Sequence, residues 1–168
     1  MSREVRTVGG PQRYRSTVIR PLDPMNDSAA CDAIVASLPR WFAMEEGIRE
    51  CAAAVRSQAG LVAEVDGDVT GFLTIARPYP QTPEISWLAV HARERRHGIG
   101  RALIVALSDE LRTHGDRLVL VKTISDRTDP GPEYVETRAF YFAMGFVPVA
   151  ELDDPDPENP IQLLAMPL

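Results

Sequence analysis

The stretch from Glu84 to Leu103 constrains this chain more than any other, because it reads as a strand, a tight turn and a helix start in immediate succession. Glu84-Ile-Ser-Trp-Leu-Ala-Val90 has strand composition, with Glu84, Ser86, Leu88 and Val90 expected on one face and Ile85, Trp87 and Ala89 on the other. After the turn at His91 to Arg96, a helix beginning near Gly98 keeps Ile99, Leu103, Ala106 and Leu111 at helical spacing as far as His114-Gly115. Leu118 to Thr123 then returns to strand composition, so the segment is a β-α-β unit and calls for a parallel strand pair.

The helix start is also the most informative place chemically. Several backbone N–H groups at a helix N-terminus lack intrahelical acceptors and converge on one point, which makes an anion site. Gly98 and Gly100 take away side chains that would hold a phosphate off the backbone, and Arg95, Arg96 and Arg101 surround the opening with positive charge. A pyrophosphate suits this description. The spacing is neither the dinucleotide pattern G-x-G-x-x-G nor the G-x-x-x-x-G-K-[ST] of a P-loop.

The surrounding elements are legible from punctuation and period. Ser16 to Arg20 reads as a strand, followed by a helix with caps offered at Asp27-Ser28 and an apolar face of Ala30, Ile34 and Leu38. A second helix starts at Glu45-Glu46, carries Ile48, Cys51, Ala52 and Val55, and is expected to end at Gly60. Leu61 to Val65 and Val69 to Ala76 form a hairpin about Asp66-Gly67-Asp68, and a proline-bounded loop spans Pro78 to Pro83. Glu133 to Met144 is helical and closed by Gly145, and Phe146 to Leu152 and Ile161 to Met166 are strands. The expected fold is therefore α/β (α+β): a mixed, mostly antiparallel sheet of six to seven strands with helices on both faces. Residues 1 to 14 read as a flexible leader and 15 to 168 as a single domain, which suits a chain of 168 residues with 45% apolar content.

Charge and composition narrow the function. A net charge of −6 disfavours nucleic-acid binding, leans towards a cationic over an acidic small partner, and makes the acid-rich Asp153 to Glu158 a solvated loop. Cys31 and Cys51 lack metal-ligand spacing and a nearby histidine and read as reduced packing residues, so no metal is expected. With no long apolar run and no apolar leader, the expectation is a cytoplasmic protein without membrane insertion.

Arg95-Arg96-His97-Gly98-Ile99-Gly100 resembles the acetyl-CoA motif [RQ]-x-x-G-x-[GA] of the GNAT (GCN5-related N-acetyltransferase) superfamily, and the flanking Trp87-Leu-Ala-Val90 and Arg101-Ala-Leu103 are similar to it as well. Downstream, Ala139-Phe-Tyr141-Phe-Ala-Met-Gly145-Phe146 is similar to a second family segment, its alanine displaced by one residue while Tyr-x-x-x-Gly-Phe is intact. The resemblance implies that acetyl-CoA is the cosubstrate, held through Leu88, Ala89, Val90, Arg95, Arg96, His97, Gly98, Ile99, Gly100 and Arg101. Leu88 and Val90 would lend main-chain groups to the pantetheine arm as an added strand pairs with a sheet edge, and His97 would serve as a backbone donor with a solvated ring.

An amine must lose a proton before it attacks a thioester, because an alkylammonium of pKa about 10 is protonated at neutral pH. The resemblance puts Glu84 where many members carry a catalytic glutamate, with burial expected to raise its proton affinity; a strand-end carboxylate paired with Arg77 is the plainer reading. Tyr141 stands where a tyrosine protonates the departing thiolate, or is simply a core aromatic. The family's asparagine after the helix is replaced by Lys122-Thr123 and Ser125, which leaves that contact undefined. Trp41-Phe42 and Glu45-Glu46 fall where the family often overhangs its acceptor, and could form an aromatic and anionic rim. The implied activity is direct transfer of an acetyl group from acetyl-CoA to a primary amine of a small molecule or peptide, without a covalent acyl-enzyme, by a possible homodimer. A catalytically silent CoA-binding sensor is the alternative, and the acceptor stays open.

Overall fold

The computed structural model describes residues 16–153 and 160–168. The expected leader of residues 1 to 14, and all but Asp153 of the acidic loop, lie outside the described residues. In chain order the elements are β1 (Thr17–Pro21), α1 (Pro24–Ala36), α2 (Glu45–Ser57), β2 (Ala59–Val65), β3 (Asp68–Tyr79), β4 (Thr82–Val90), α3 (Ile99–His114), β5 (Leu118–Ile124), α4 (Pro132–Ala143), β6 (Val147–Leu152) and β7 (Ile161–Pro167). The strands form one seven-stranded sheet in the order β1-β2-β3-β4-β5-β7-β6. Every neighbouring pair is antiparallel except β4 and β5, the pair that the β-α-β reading required.

Period-2 alternation along the inner strands sends side chains to two cores. Leu61, Ala63, Val65 and Leu73 pack with Leu103, Ile104, Leu107 and Leu111 of α3 and with Tyr141 of α4 on one face. Val62, Phe72 and Ala89 pack with Cys31, Ile34, Cys51 and Val55 of α1 and α2 on the other. Both thiols are buried and unbonded, and burial pushes each up to about 12, as suits inert packing residues.

The structure corrects the sequence reading at three boundaries. Asp23 caps α1 by accepting a hydrogen bond from the Met25 N–H, while the expected cap Asp27 lies inside the helix. There the carboxylate is buried and accepts two bonds from Arg20 of β1, at 2.7 and 2.8 Å, an ion pair that no local pattern announces. Gly60 lies within β2 instead of ending α2, since a Cβ there would stand 2.2 Å from the Leu73 carbonyl oxygen of β3. The loop expected from Pro78 to Pro83 is a tight hairpin, with β3 running to Tyr79 and pairing there with Thr82. The Asp66-Gly67 turn is as expected, with φ of 55° and 91°.

Candidate active site

β4 pairs with β3 along most of its length, but its register slips between Thr74 and Ile75, which oppose Trp87 and Ile85 and leave Ser86 as an extra residue. Such a bulge bends and twists the strand that carries it. On its other edge β4 is paired with β5 only at Glu84 and Ile85, so the two parallel strands part at the bulge. The edge of β4 from Ser86 to Val90 is left without a strand partner, and a cleft of about 870 Å³ opens between the separated strands.

The bulge also changes which side chains share a face. Leu88 and Val90 pack with Ile85 on the α3 side, while Trp87 and Ala89 pack on the α1/α2 side. Strict alternation had set Ile85 with Trp87 and Ala89; the extra residue shifts the phase by one.

The mouth of the cleft is the turn before α3. Arg96 at φ 63° and Gly98 at φ 82° are left-handed, and the Gly98 carbonyl accepts the first helical bond, from the Ala102 N–H at 2.9 Å. The N–H groups of Ile99, Gly100 and Arg101 thus have no acceptor within the helix. Nothing lies within 4 Å of a Cβ placed on Gly98, so an anion can reach this backbone. Gly100 has a different reason to be glycine: a Cβ there would lie 3.1 Å from the Phe140 ring of α4. Arg95, Arg96 and Arg101 line the cleft, whereas His97 is turned outward, 3.6 Å from Glu94. The residues present therefore fit a pyrophosphate: free backbone donors, open approach and three guanidinium groups.

The arginines are already organised. Glu136 of α4 accepts from Arg95 at 3.0 Å and Arg96 at 3.3 Å, and the Arg95 guanidinium holds the Glu136 carboxyl below the usual carboxylate range. Arg95 also lies over the Trp41 ring, 4.1 Å from its centroid. Trp41 in turn donates its indole N–H to the Glu133 carbonyl and the Thr137 hydroxyl, both at 3.2 Å. The segment between α1 and α2 is thereby tied across the cleft mouth to α4.

Tyr141 and Glu84 are placed differently. Tyr141 lines the cleft with its ring edge-on to Phe140 and Phe146, at 5.2 and 5.3 Å between centroids, and burial pushes its phenol above the ordinary tyrosine value. Among the described residues its hydroxyl has no hydrogen-bond partner. Glu84 is not part of the cleft lining; its carboxylate is paired with Lys122 of β5 at 3.2 Å, and Lys122 is the one that faces the cleft. Arg77, the partner considered from sequence, is instead taken by Asp116 at 2.9 Å.

On the α1/α2 side, Trp41, Phe42 and Met44 line the cleft together with Trp87, which stacks on Phe42 with centroids 5.8 Å apart. Glu45 and Glu46 are exposed and outside this lining, so the rim is aromatic without being anionic. Ser125 is buried and spent on structure, bonded to Glu151 and to the Arg127 N–H. Three residues that the sequence reading passed over shape the site: Ser86 at the bulge, Glu136 on the arginines, and Arg138, whose buried guanidinium holds the Ile124 carbonyl at 2.7 Å and fixes the free end of β5. Only Arg138 left a trace in sequence, as a charged residue directly before the apolar run Ala139 to Phe142. No group of three metal-ligating side chains occurs among the described residues, nor any helix long and apolar enough to cross a membrane.

Residues 56–148 match the family model of the acetyltransferase (GNAT) domain. A search of curated proteins by sequence gives no match. Among solved structures, the chain is similar to a Desulfovibrio desulfuricans protein assigned to the GNAT acetyltransferase family, with a TM-score of 0.77 and 21% identity over 90% of this chain and 99% of that one. It is also similar to the ribosomal-protein-S18-alanine N-acetyltransferase of Escherichia coli, with a TM-score of 0.71 and 18% identity over 90% and 94% of the two chains. A third similar structure is the PaiA N-acetyltransferase of Thermoplasma acidophilum, solved with coenzyme A, with a TM-score of 0.69 and 16% identity over 91% and 99%. At these identities the structural likeness speaks for the fold.

Proposed function

Because the chain belongs to the GNAT acetyltransferase family, we propose that it moves an acetyl group from acetyl-CoA directly to a primary amine, as a cytoplasmic enzyme. The observation that carries this reading is the coincidence, in one cleft, of a strand edge without a partner at Ser86 to Val90 and a helix N-terminus ringed by arginines. An extended pantetheine arm and a pyrophosphate are the two parts of coenzyme A that such a pair of features suits.

In this reading the N–H groups of Ile99, Gly100 and Arg101 and the side chains of Arg95, Arg96 and Arg101 hold the pyrophosphate. The β4 edge aligns the thioester, whose carbonyl carbon then lies near the bulge at Ser86. The acceptor arrives from the α1/α2 side, loses its proton and attacks that carbon, forming the C–N bond of a tetrahedral intermediate; collapse of the intermediate breaks the C–S bond, and the second nitrogen proton passes through water to restore the Tyr141 phenol. Tyr141 gives its proton to the departing sulfur, since a phenol kept protonated by burial is a donor at neutral pH. Glu84, withdrawn behind Lys122 at 3.2 Å, is suited to take the ammonium proton through a water rather than by direct contact.

The test is an acceptor screen with acetyl-CoA that reads thiol release and product mass, with CoA binding measured separately. Acetylated product with at least one amine is expected. CoA binding with no release on any acceptor overturns the enzymatic reading in favour of the sensor.

A further inference from the structure

We infer, on the premise that the cleft is an acetyl-transfer site, that the acceptor is a monoamine with a flat apolar body, of the arylalkylamine class, and not a polyamine or other polycation. Two independent sets of observations carry this, one from packing and one from charge.

The acceptor side of the cleft is built from apolar surface. Trp87 leaves β4 on the face opposite Leu88 and Val90, so it stands away from the edge that suits the cofactor. Phe42 stacks on it at an interplanar angle of 28°, and Met44 lies beside them with most of its surface exposed. The first turn of α2 then contributes Gly47, where a Cβ would come no nearer than 4.0 Å to the outer carbon of the Trp87 ring. The absence of a side chain at that position leaves the indole edge open to the cleft. An open slot bounded by two stacked rings and a thioether gains most from a planar apolar guest.

The charges in and around the cleft reject extra cations. Glu136 is already engaged by Arg95 and Arg96 and Glu84 by Lys122, while Glu94, 3.6 Å from His97, stands in the turn next to Arg95 and Arg96 and not on the Trp87–Phe42 side. Glu45 and Glu46 are outside the lining. The Trp41 ring, an alternative seat for an ammonium, already carries the Arg95 guanidinium at 4.1 Å and has Arg40 at 5.9 Å. A second or third ammonium on an acceptor would therefore be desolvated without a carboxylate of its own and would meet like charge at the mouth. The negative charge of the whole chain, −6, attracts cations in general, but it does not reside in this cleft.

The experiment compares 2-phenylethylamine, spermidine and kanamycin as acceptors with acetyl-CoA, using the full chain and a Gly47→Leu variant. Leucine is a better helix former than glycine and its Cβ would stand at ordinary van der Waals distance from the Trp87 ring, so the variant is expected to fold with an unchanged or raised Tm while its branches cover the indole edge and fill the slot. The expected result is a kcat/KM for phenylethylamine at least about tenfold above those of spermidine and kanamycin, and a KM for phenylethylamine raised at least about tenfold by Gly47→Leu with CoA affinity unchanged. A preference for spermidine or kanamycin, or an unchanged phenylethylamine KM in the variant, overturns the inference and leaves acetyl transfer standing. Should no amine release thiol, acetyl transfer fails, and calorimetry of phenylethylamine on the CoA-loaded protein decides the slot separately: no heat, or the same heat in Gly47→Leu, overturns it. If Gly47→Leu does not fold, Phe42→Ala removes one wall of the slot, and an unchanged phenylethylamine KM in that variant overturns the inference equally.

Discussion

Replacing Tyr141 with phenylalanine removes one oxygen from the centre of the cleft and little else. The hydroxyl has no partner among the described residues, so no buried donor or acceptor is orphaned by its loss, and the ring keeps its edge-on contacts with Phe140 and Phe146. Stability should stay within about 0.5 kcal/mol, a Tm shift below about 2 °C for a chain of this size. Catalysis should not. General acids contribute roughly 10²- to 10⁴-fold, but a thiolate, with a conjugate acid near pKa ~8.5, already leaves well, so the lower end applies. We expect kcat to fall about 10- to 100-fold, equivalent to ~1.4 to 2.7 kcal/mol of barrier, with CoA affinity changed less than about twofold. The pH dependence follows from the direction of the phenol shift. Because burial raises the folded value above the unfolded one, the proton stays on Tyr141 as pH climbs through ~10, and the wild-type kcat should show no basic limb due to this group below that pH. Steady-state kinetics across pH, with CoA titrated by calorimetry, gives each quantity. An unchanged kcat, or a loss explained wholly by weaker CoA binding, would refute the assignment.

Two further perturbations probe the neighbouring charges. Glu84→Gln keeps shape but loses the charge that faces Lys122 at 3.2 Å; if Glu84 serves as base through water, kcat/KM should fall at least about tenfold in steady-state kinetics, whereas an unchanged kcat/KM excludes that role. Asp27→Asn breaks the buried pair with Arg20 and should cost about 2 kcal/mol, or roughly 4 to 8 °C in Tm, at neutral pH. Arg20 holds the Asp27 carboxyl below its usual range, so this contribution is fully present above the unfolded value near ~3.9 and is lost as pH falls through the lower folded value. Thermal melts of both proteins should therefore converge in acid, and a gap independent of pH would argue that Asp27 acts by packing alone.

What the sequence determined by itself is whatever depends on neighbours along the chain. The helical period of Ile99, Leu103, Ala106 and Leu111, the positive-φ turn at Asp66-Gly67, the strand-turn-helix about Gly98 and the parallel pair β4 and β5 all follow from local geometry, and all are as expected. The arginines and glycines gathered at the start of α3 were legible for the same reason. Tertiary structure decided everything that needs two distant segments at once. Asp27 looks like a helix cap until Arg20 of β1 is brought beside it, and Gly60 looks like a helix stop until the Leu73 carbonyl of β3 passes 2.2 Å from the place of its missing Cβ. Gly100 reads as room for phosphate, yet the Phe140 ring of α4 also requires it to be bare. The same applies to Glu84: its position in β4 was readable, but its pairing with Lys122 exists only because β5 runs parallel alongside. The cleft itself belongs to this second class. A one-residue bulge at Ser86 leaves no compositional mark, because it is a slip of register between β3 and β4, and register exists only once the strands have paired.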